Sequence, residues 1–149
     1  MRQPKTIFVN RFFFPDISAT SQMVSDLAFQ LAASGTQVHI VTSRLRYDDP
    51  AVKLSAQEVI DGVTIHRVWT SRFGRASTLG RLCDYLTFYV TAPLKVLSLA
   101  LRGDVVISKT DPPMISVPLM MVAWVRRAKL VNWLQDLFPE VATVLGMPA

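Results

Sequence analysis

The sequence predicts an α/β chain built as a Rossmann-like, doubly wound, mostly parallel sheet, and three observations predict it. A short apolar run, TIFVN at 6–10, is followed by apolar residues at helical spacing and then by TQVHIVTS at 36–43. Strand, helix and strand thus fall within the length of one βαβ unit. The same alternation resumes with DVVIS at 104–108, a helical stretch and AKLVNWL at 128–134. The strand runs are apolar at successive positions, as in strands covered on both faces.

In chain order, TIFVN is the first strand. Asn10 and Arg11 interrupt its apolar run and no small-residue cleavage site follows, so it is not read as a signal peptide. After the irregular RFFFPDISA, a helix starts near Thr20 or Ser21, either of which can cap orphan N–H groups. Met23, Val24, Leu27, Ala28, Leu31 and Ala32 give it an apolar face, and Gly35 closes it. The polar stretch from Arg44 to Gln57 is an exposed loop. QEVIDGVTIHRVW holds two β-prone runs joined by Asp61-Gly62, a hairpin turn signal. A helical pattern then runs from about Leu79 to Leu101 and ends at Gly103. TDPPM breaks the strand DVVIS, Pro113 suits a first helical turn, and a helix from about Met114 to Arg127 carries Pro118 near its start or at a kink. AKLVNWL is a fifth strand, and QDLFPE leaves its carboxyl end.

The 149 residues suit one domain, or one half of a two-lobed protein. Hydrophobic residues form 50% of the chain and charged residues 18%, which excludes a disordered chain and leaves apolar surface for a partner or a lipid. Sixteen Lys and Arg against 11 Asp and Glu give a net charge of +5, which favours anionic partners. Cys83 is the lone cysteine, so neither an internal disulfide nor a cysteine zinc site is expected, and a reducing, cytoplasmic setting fits. The longest apolar stretch, Leu86 to Leu101, carries Pro93 and Lys95 and is shorter than the roughly 20 residues of a spanning helix. A peripheral protein is expected.

Ligands of open parallel sheets bind beyond the carboxyl ends of the strands. The residues there are Asn10 to Asp16, Thr42 to Arg44, Thr110 to Pro112 and Gln135 to Glu140. Arg11, Arg44, Thr110, Asp111, Asp136 and Glu140 would line such a cleft with Asp16 and the aromatic Phe12, Phe13, Phe14 and Phe138, furnishings of a sugar or polar-headgroup site. The glycines fit neither GxGxxG nor GxxxxGK, and CxxC, HExxH and GxSxG are absent. Plainer readings stand beside these. Asp136 and Glu140 also suit a helix start, and Asp111 with its prolines suits a turn. His39 and His66 lie inside strands and are read as structural, and Cys83 as a small core residue. Arg72, Arg75, Arg81 and Lys95, with Phe73, Leu82, Tyr85, Leu86, Phe88 and Tyr89, form either a basic amphipathic surface for an anionic membrane or a core-packed helix with a solvated basic start. No nucleic-acid recognition motif occurs, so nucleic acid is not an expected partner.

Five blocks together resemble the amino-terminal domain of family 4 glycosyltransferases of the two-lobed GT-B type. They are FFFPDISATSQMVSDLAFQLAASGTQVHIVTSR, DGVTIHRVWTSRFGR, LGRLCDYLTFYV, VVISKTDPPM and LVNWLQDLFPEVATVLGM, and they cover nearly the whole chain. The wording is most similar to bacterial enzymes that build surface polysaccharides such as capsule, colanic acid or O antigen.

The resemblance implies a retaining transferase that moves a sugar from a nucleotide-sugar donor to a lipid-linked or polysaccharide acceptor, without a metal or other cofactor. The chain would supply an incomplete amino-terminal, acceptor-side lobe at the inner face of the plasma membrane. The donor would be held mainly by a second lobe, which a separate chain could provide, and the 149 residues alone are expected to be inactive. By position in the motifs, Asp16, Ser18, Thr20 and Ser21 match the loop that approaches donor phosphate and acceptor, with Ser21 where close relatives commonly have glycine. Gln135 and Asp136 match a frequent His-Asp pair and are the catalytic candidates. Gln135 can exchange hydrogen bonds with sugar hydroxyls but cannot shuttle a proton. A non-catalytic remnant or interaction module, and an unrelated nucleotide-binding sheet protein, are the alternatives.

Overall fold

The computed structural model describes residues 2–47, 49, 52, 54–73 and 78–135. Strands and helices alternate in the order β1 (Lys5–Val9), α1 (Ala19–Ala33), β2 (Gln37–Ser43), β3 (Gln57–Ile60), β4 (Val63–Val68), α2 (Thr78–Leu99), β5 (Val105–Lys109), α3 (Ser116–Arg126) and β6 (Lys129–Trp133). They form one six-stranded sheet in the order β3-β4-β2-β1-β5-β6. Every neighbouring pair is parallel except the β3–β4 hairpin at one edge. The chain is therefore α/β with a mostly parallel, Rossmann-like sheet.

The sheet has a core on each face, and the alternation of side chains in β1 builds both. Ile7 and Val9 point one way, meeting Val41, Val106, Phe88 and Ala92 under α2, and Leu119 and Val122 of α3. Phe8 points the other way, against Val24 and Ala28 of α1 and Val38, Ile40 and Ile65 of the sheet. Helices thus cover both faces, the doubly wound arrangement. Each fully buried side chain of the size of Phe88 contributes about 2–3 kcal/mol of hydrophobic stabilisation.

Local chemistry sets the ends of the elements. The Thr36 N–H donates to the Leu31 carbonyl and the Gly35 N–H to that of Ala32, with Gly35 at φ +88°. This is a Schellman closure, and glycine adopts its left-handed residue without a Cβ penalty. Asp61 and Gly62 have φ of 46° and 80°, the pair of positive values a two-residue type I′ hairpin turn requires. Its outer arm, β3, joins the same sheet, so the sheet has one strand more than the five counted from sequence.

Two helix starts differ from the expected positions. α1 begins at Ala19 with Ser18 as its N-cap residue, not at Thr20 or Ser21. The Asp16 carboxylate takes the Ser18 N–H at 2.9 Å and so turns the chain into the helix early. α3 begins at Ser116, because Met114 sits at φ 59°, outside the helical region. Pro118 is then the third helical residue, within the first turn, where a missing N–H leaves no helical bond unmade.

At the amino ends of the strands, Asp104 is fully buried. Its carboxylate accepts from Arg2 Nη2 at 2.6 Å, from the Lys5 N–H and from the Leu101 N–H, and Lys5 Nζ lies 3.8 Å away. Burial alone would raise its pKa, but these bonds outweigh it and hold the carboxyl below its ordinary value.

Candidate functional site

β1 and β5 are neighbours whose following helices lie on opposite faces, so the chain parts between them at the carboxyl ends. Two loops meet there, after β1 and after β5. The Arg11 N–H donates to the Asp111 carbonyl at 2.9 Å, the Ser43 N–H to the Arg11 carbonyl at 3.0 Å, and Thr42 Oγ1 to the same carbonyl at 3.0 Å. These bonds fasten the loop after β1 to its neighbours on both sides.

Several expected cleft residues are built into this floor. Arg11 is buried, with Nη2 at 3.6 Å from Asp84 Oδ2 and its guanidinium over the rings of Tyr85 and Phe12. It ties the β1 loop to α2. Asp16 is also buried, and its second oxygen accepts the Tyr47 N–H, so the carboxylate joins the β1 loop to the loop after β2. Ser21 is buried with its hydroxyl donating to the Asp16 carbonyl at 3.1 Å, turned away from any ligand at the helix start. Ser18 contributes a buried hydroxyl without a protein partner, Thr20 is half-buried, and no side chain caps α1. Phe13 is core, Phe12 packs edge-on against Tyr47, and Phe14 alone of the three is exposed.

Gln135 stands at the carboxyl end of β6, exposed, with Nε2 at 3.0 Å from Met23 Sδ of α1. Beside it lies a group the sequence reading missed. Lys109, the last residue of β5, is buried, with Nζ 4.0 Å from the Trp133 ring centre and 3.8 Å from Met23 Sδ. Lys109 and Thr110 line a cavity of about 320 Å³ with Ile115, Ser116, Asn132 and Leu134. The lysine was legible as the charged residue that ends an otherwise apolar strand, at the position where sheet ligands bind. Asp136 and Glu140 lie outside the described residues, as does Arg75.

Arg44 and Arg72, assigned separately to the cleft and to a membrane surface, come together. Both line a cavity of about 180 Å³ with Leu45, Trp69, Thr70 and Ser71, beyond the ends of β2 and β4. Arg81 is exposed on α2, whereas Lys95 is half-buried and close enough to His66 to lower its pKa. Of the aromatic residues grouped with them, Phe88 is core, Tyr85 stacks on Arg11, and the Tyr89 hydroxyl donates to the Pro113 carbonyl. Phe73 is exposed.

Two further charged groups escaped the sequence reading because their partners are distant in the chain. Asp84 is buried in α2, accepting from Ser71 Oγ at 2.6 Å and from the Phe73 N–H at 3.0 Å. Arg67 is buried in β4, paired with Glu58 and donating to the Phe14 carbonyl at 2.8 Å. His39 and His66 stack with ring centres 5.3 Å apart and share a 3.0 Å N···N contact. Burial, then Lys95 and His39, depress the His66 pKa to about 4, so one neutral ring donates to the other. Cys83 is exposed rather than core. Among the described residues, no group of three or more His, Cys, Asp or Glu is placed to hold a metal ion. No helix among them is long and apolar enough to cross a membrane.

No family model matches the chain, and no curated protein matches it.

Proposed function

We propose that this chain is the acceptor-side lobe of a retaining GT-B glycosyltransferase, which moves a sugar from a nucleotide-sugar donor to a lipid-linked or polysaccharide acceptor. The work would take place at the inner face of the plasma membrane, in the assembly of a surface polysaccharide. The observation that carries this reading is the placement of Gln135. It stands exposed at the carboxyl end of β6, beside Met23 of α1 and the buried ammonium of Lys109. An amide there can hold sugar hydroxyls at the mouth of the sheet. Arg11 and Asp16 serve this reading as the frame of the site, since their charges are already engaged.

Donor binding belongs to a second lobe in enzymes of this build, and closing two lobes excludes water from the reacting carbon. A direct test is incorporation of label from a panel of nucleotide sugars into membrane lipids and polymer. Incorporation is expected when the chain is joined to, or co-expressed with, a donor-binding lobe, and not with the 149 residues alone. Failure with every donor and both formats would remove the reading.

A specific observation favours a second reading, an interaction module. The outer face of α3 exposes Val117, Met121, Trp124 and Val125, an apolar surface at helical spacing. Coding sequence after Ala149 that contains no donor-binding lobe, in the same or an adjacent frame, would favour this module over the enzyme.

A further inference from the structure

Trp69 follows β4 and is 64% exposed, and it lines two cavities of opposite character. On one side is the Arg44–Arg72 cavity. Its hydroxyls are engaged within the fold, Thr70 with Ser43 at 2.8 Å and Ser71 with Asp84 at 2.6 Å. Among the described residues, Arg44 gives Nε to the Leu54 carbonyl and no carboxylate lines this cavity, so the guanidinium groups are the charged donors it offers. On the other side is a groove of about 330 Å³ lined by Trp69, Leu86, Thr87, Val90 and Thr91. Both threonine hydroxyls are turned inward, Thr87 Oγ1 to the Asp84 carbonyl at 3.0 Å and Thr91 Oγ1 to the Thr87 carbonyl at 2.9 Å. The groove therefore presents methyl groups, and Leu82 and Leu94 extend it as exposed apolar residues along α2.

We propose that this pair of cavities seats one single-chain anionic amphiphile, its phosphate or carboxylate head between Arg44 and Arg72 and its hydrocarbon chain in the groove beyond Trp69. Charge and polarity select this ligand. The first cavity, of about 180 Å³, has room for a phosphate head, and the groove of about 330 Å³ has room for a short run of methylenes. Guanidinium donors match a phosphate or carboxylate fork, and an indole at the boundary suits a molecule with one polar and one apolar end. The site rests on these two cavities alone and stands whether or not the chain takes part in sugar transfer.

The test is calorimetric titration of the full 149-residue chain with decyl phosphate and octyl phosphate below their micelle concentrations. Inorganic phosphate and a neutral decyl glycoside are the controls. Decyl phosphate is expected to bind at least tenfold more tightly than either control, and more tightly than octyl phosphate by about fourfold for each methylene the groove takes up. Arg72→Gln should weaken decyl phosphate at least fivefold. Val90→Ser should weaken decyl phosphate while leaving inorganic phosphate unchanged. Both residues are exposed, and circular dichroism melting confirms that each variant folds. Equal binding of decyl phosphate and inorganic phosphate would overturn the proposal, as would an Arg72→Gln variant that binds like wild type. Binding to anionic vesicles without any binding of the monomeric amphiphile would overturn it in favour of a bilayer surface.

Discussion

The two ends of the sheet both carry buried charge, but they use it differently. At the amino end, Asp104 is saturated by Arg2, two backbone N–H groups and the nearby Lys5 ammonium. At the carboxyl end, Asn10 Oδ1, Arg11 Nε and Ser18 Oγ are buried without a protein partner. Arg44 and Arg72 line a cavity there. Buried polar groups that are fully paired stabilise a fold, whereas under-paired ones mark where it gives up stability. One end is therefore a clasp, and the other is where the proposed sites lie.

The largest effect that could break this contrast is at the clasp. Asp104→Ala leaves two N–H groups and two cations without their acceptor, and should cost about 3–4 kcal/mol in urea unfolding. A loss below about 1 kcal/mol would mean that the amino end is no clasp. Because the folded pKa of Asp104 is depressed, its contribution is complete above the unfolded value and is lost as pH falls through the folded one. Asp104→Asn should flatten that acid limb of the stability curve.

Next comes the histidine pair at the middle of the sheet. His66 has a folded pKa of about 4 against 6.5 unfolded, so between these values the unfolded chain binds more protons. One extra proton bound by the unfolded chain costs about 1.4 kcal/mol per pH unit, so stability should fall by about 3 kcal/mol as pH drops from 6.5 to 4. Denaturant titrations of His66→Gln and wild type across this window should diverge, and parallel curves would place the acid sensitivity elsewhere. Arg11→Ala sharpens the contrast from the other side. Its Asp84 partner keeps bonds from Ser71 and Phe73, so the loss should be only about 1–2 kcal/mol by the same measurement. Smallest of all is Arg72→Gln, expected within about 0.5 kcal/mol of wild type in stability despite its effect on amphiphile binding.

Much of this architecture was legible because it is written in local chemistry. Gly35, the Asp61-Gly62 turn and Gly103 sit at positive φ where the sequence placed chain reversals, and the strand runs fall within a residue or two of their expected places. The helical pattern in α2 was legible, but not its two faces. Asp84, Phe88, Ala92 and Val96 are buried while Leu79, Leu82, Leu86, Val90 and Leu94 are exposed, so the helix has one core face and one exposed apolar face. The site was harder to read. Arg11 and Asp16 look like cleft charges in sequence, and only their contacts with Asp84, far along the chain, and with the Tyr47 N–H reveal them as framework. Lys109 is signalled by its place at the end of β5 and was overlooked, whereas the meeting of Arg44 with Arg72 depends on the β2–β4 pairing, which no local pattern encodes.

The most direct measurement of whether the carboxyl end serves the proposed sugar transfer is the transfer rate of this chain joined to a donor-binding lobe and carrying Gln135→Ala, read beside its melting temperature. Gln135 is exposed and its described bond is to a thioether, so melting should be unchanged while transfer falls at least tenfold. Wild-type turnover in that variant would contradict the assignment.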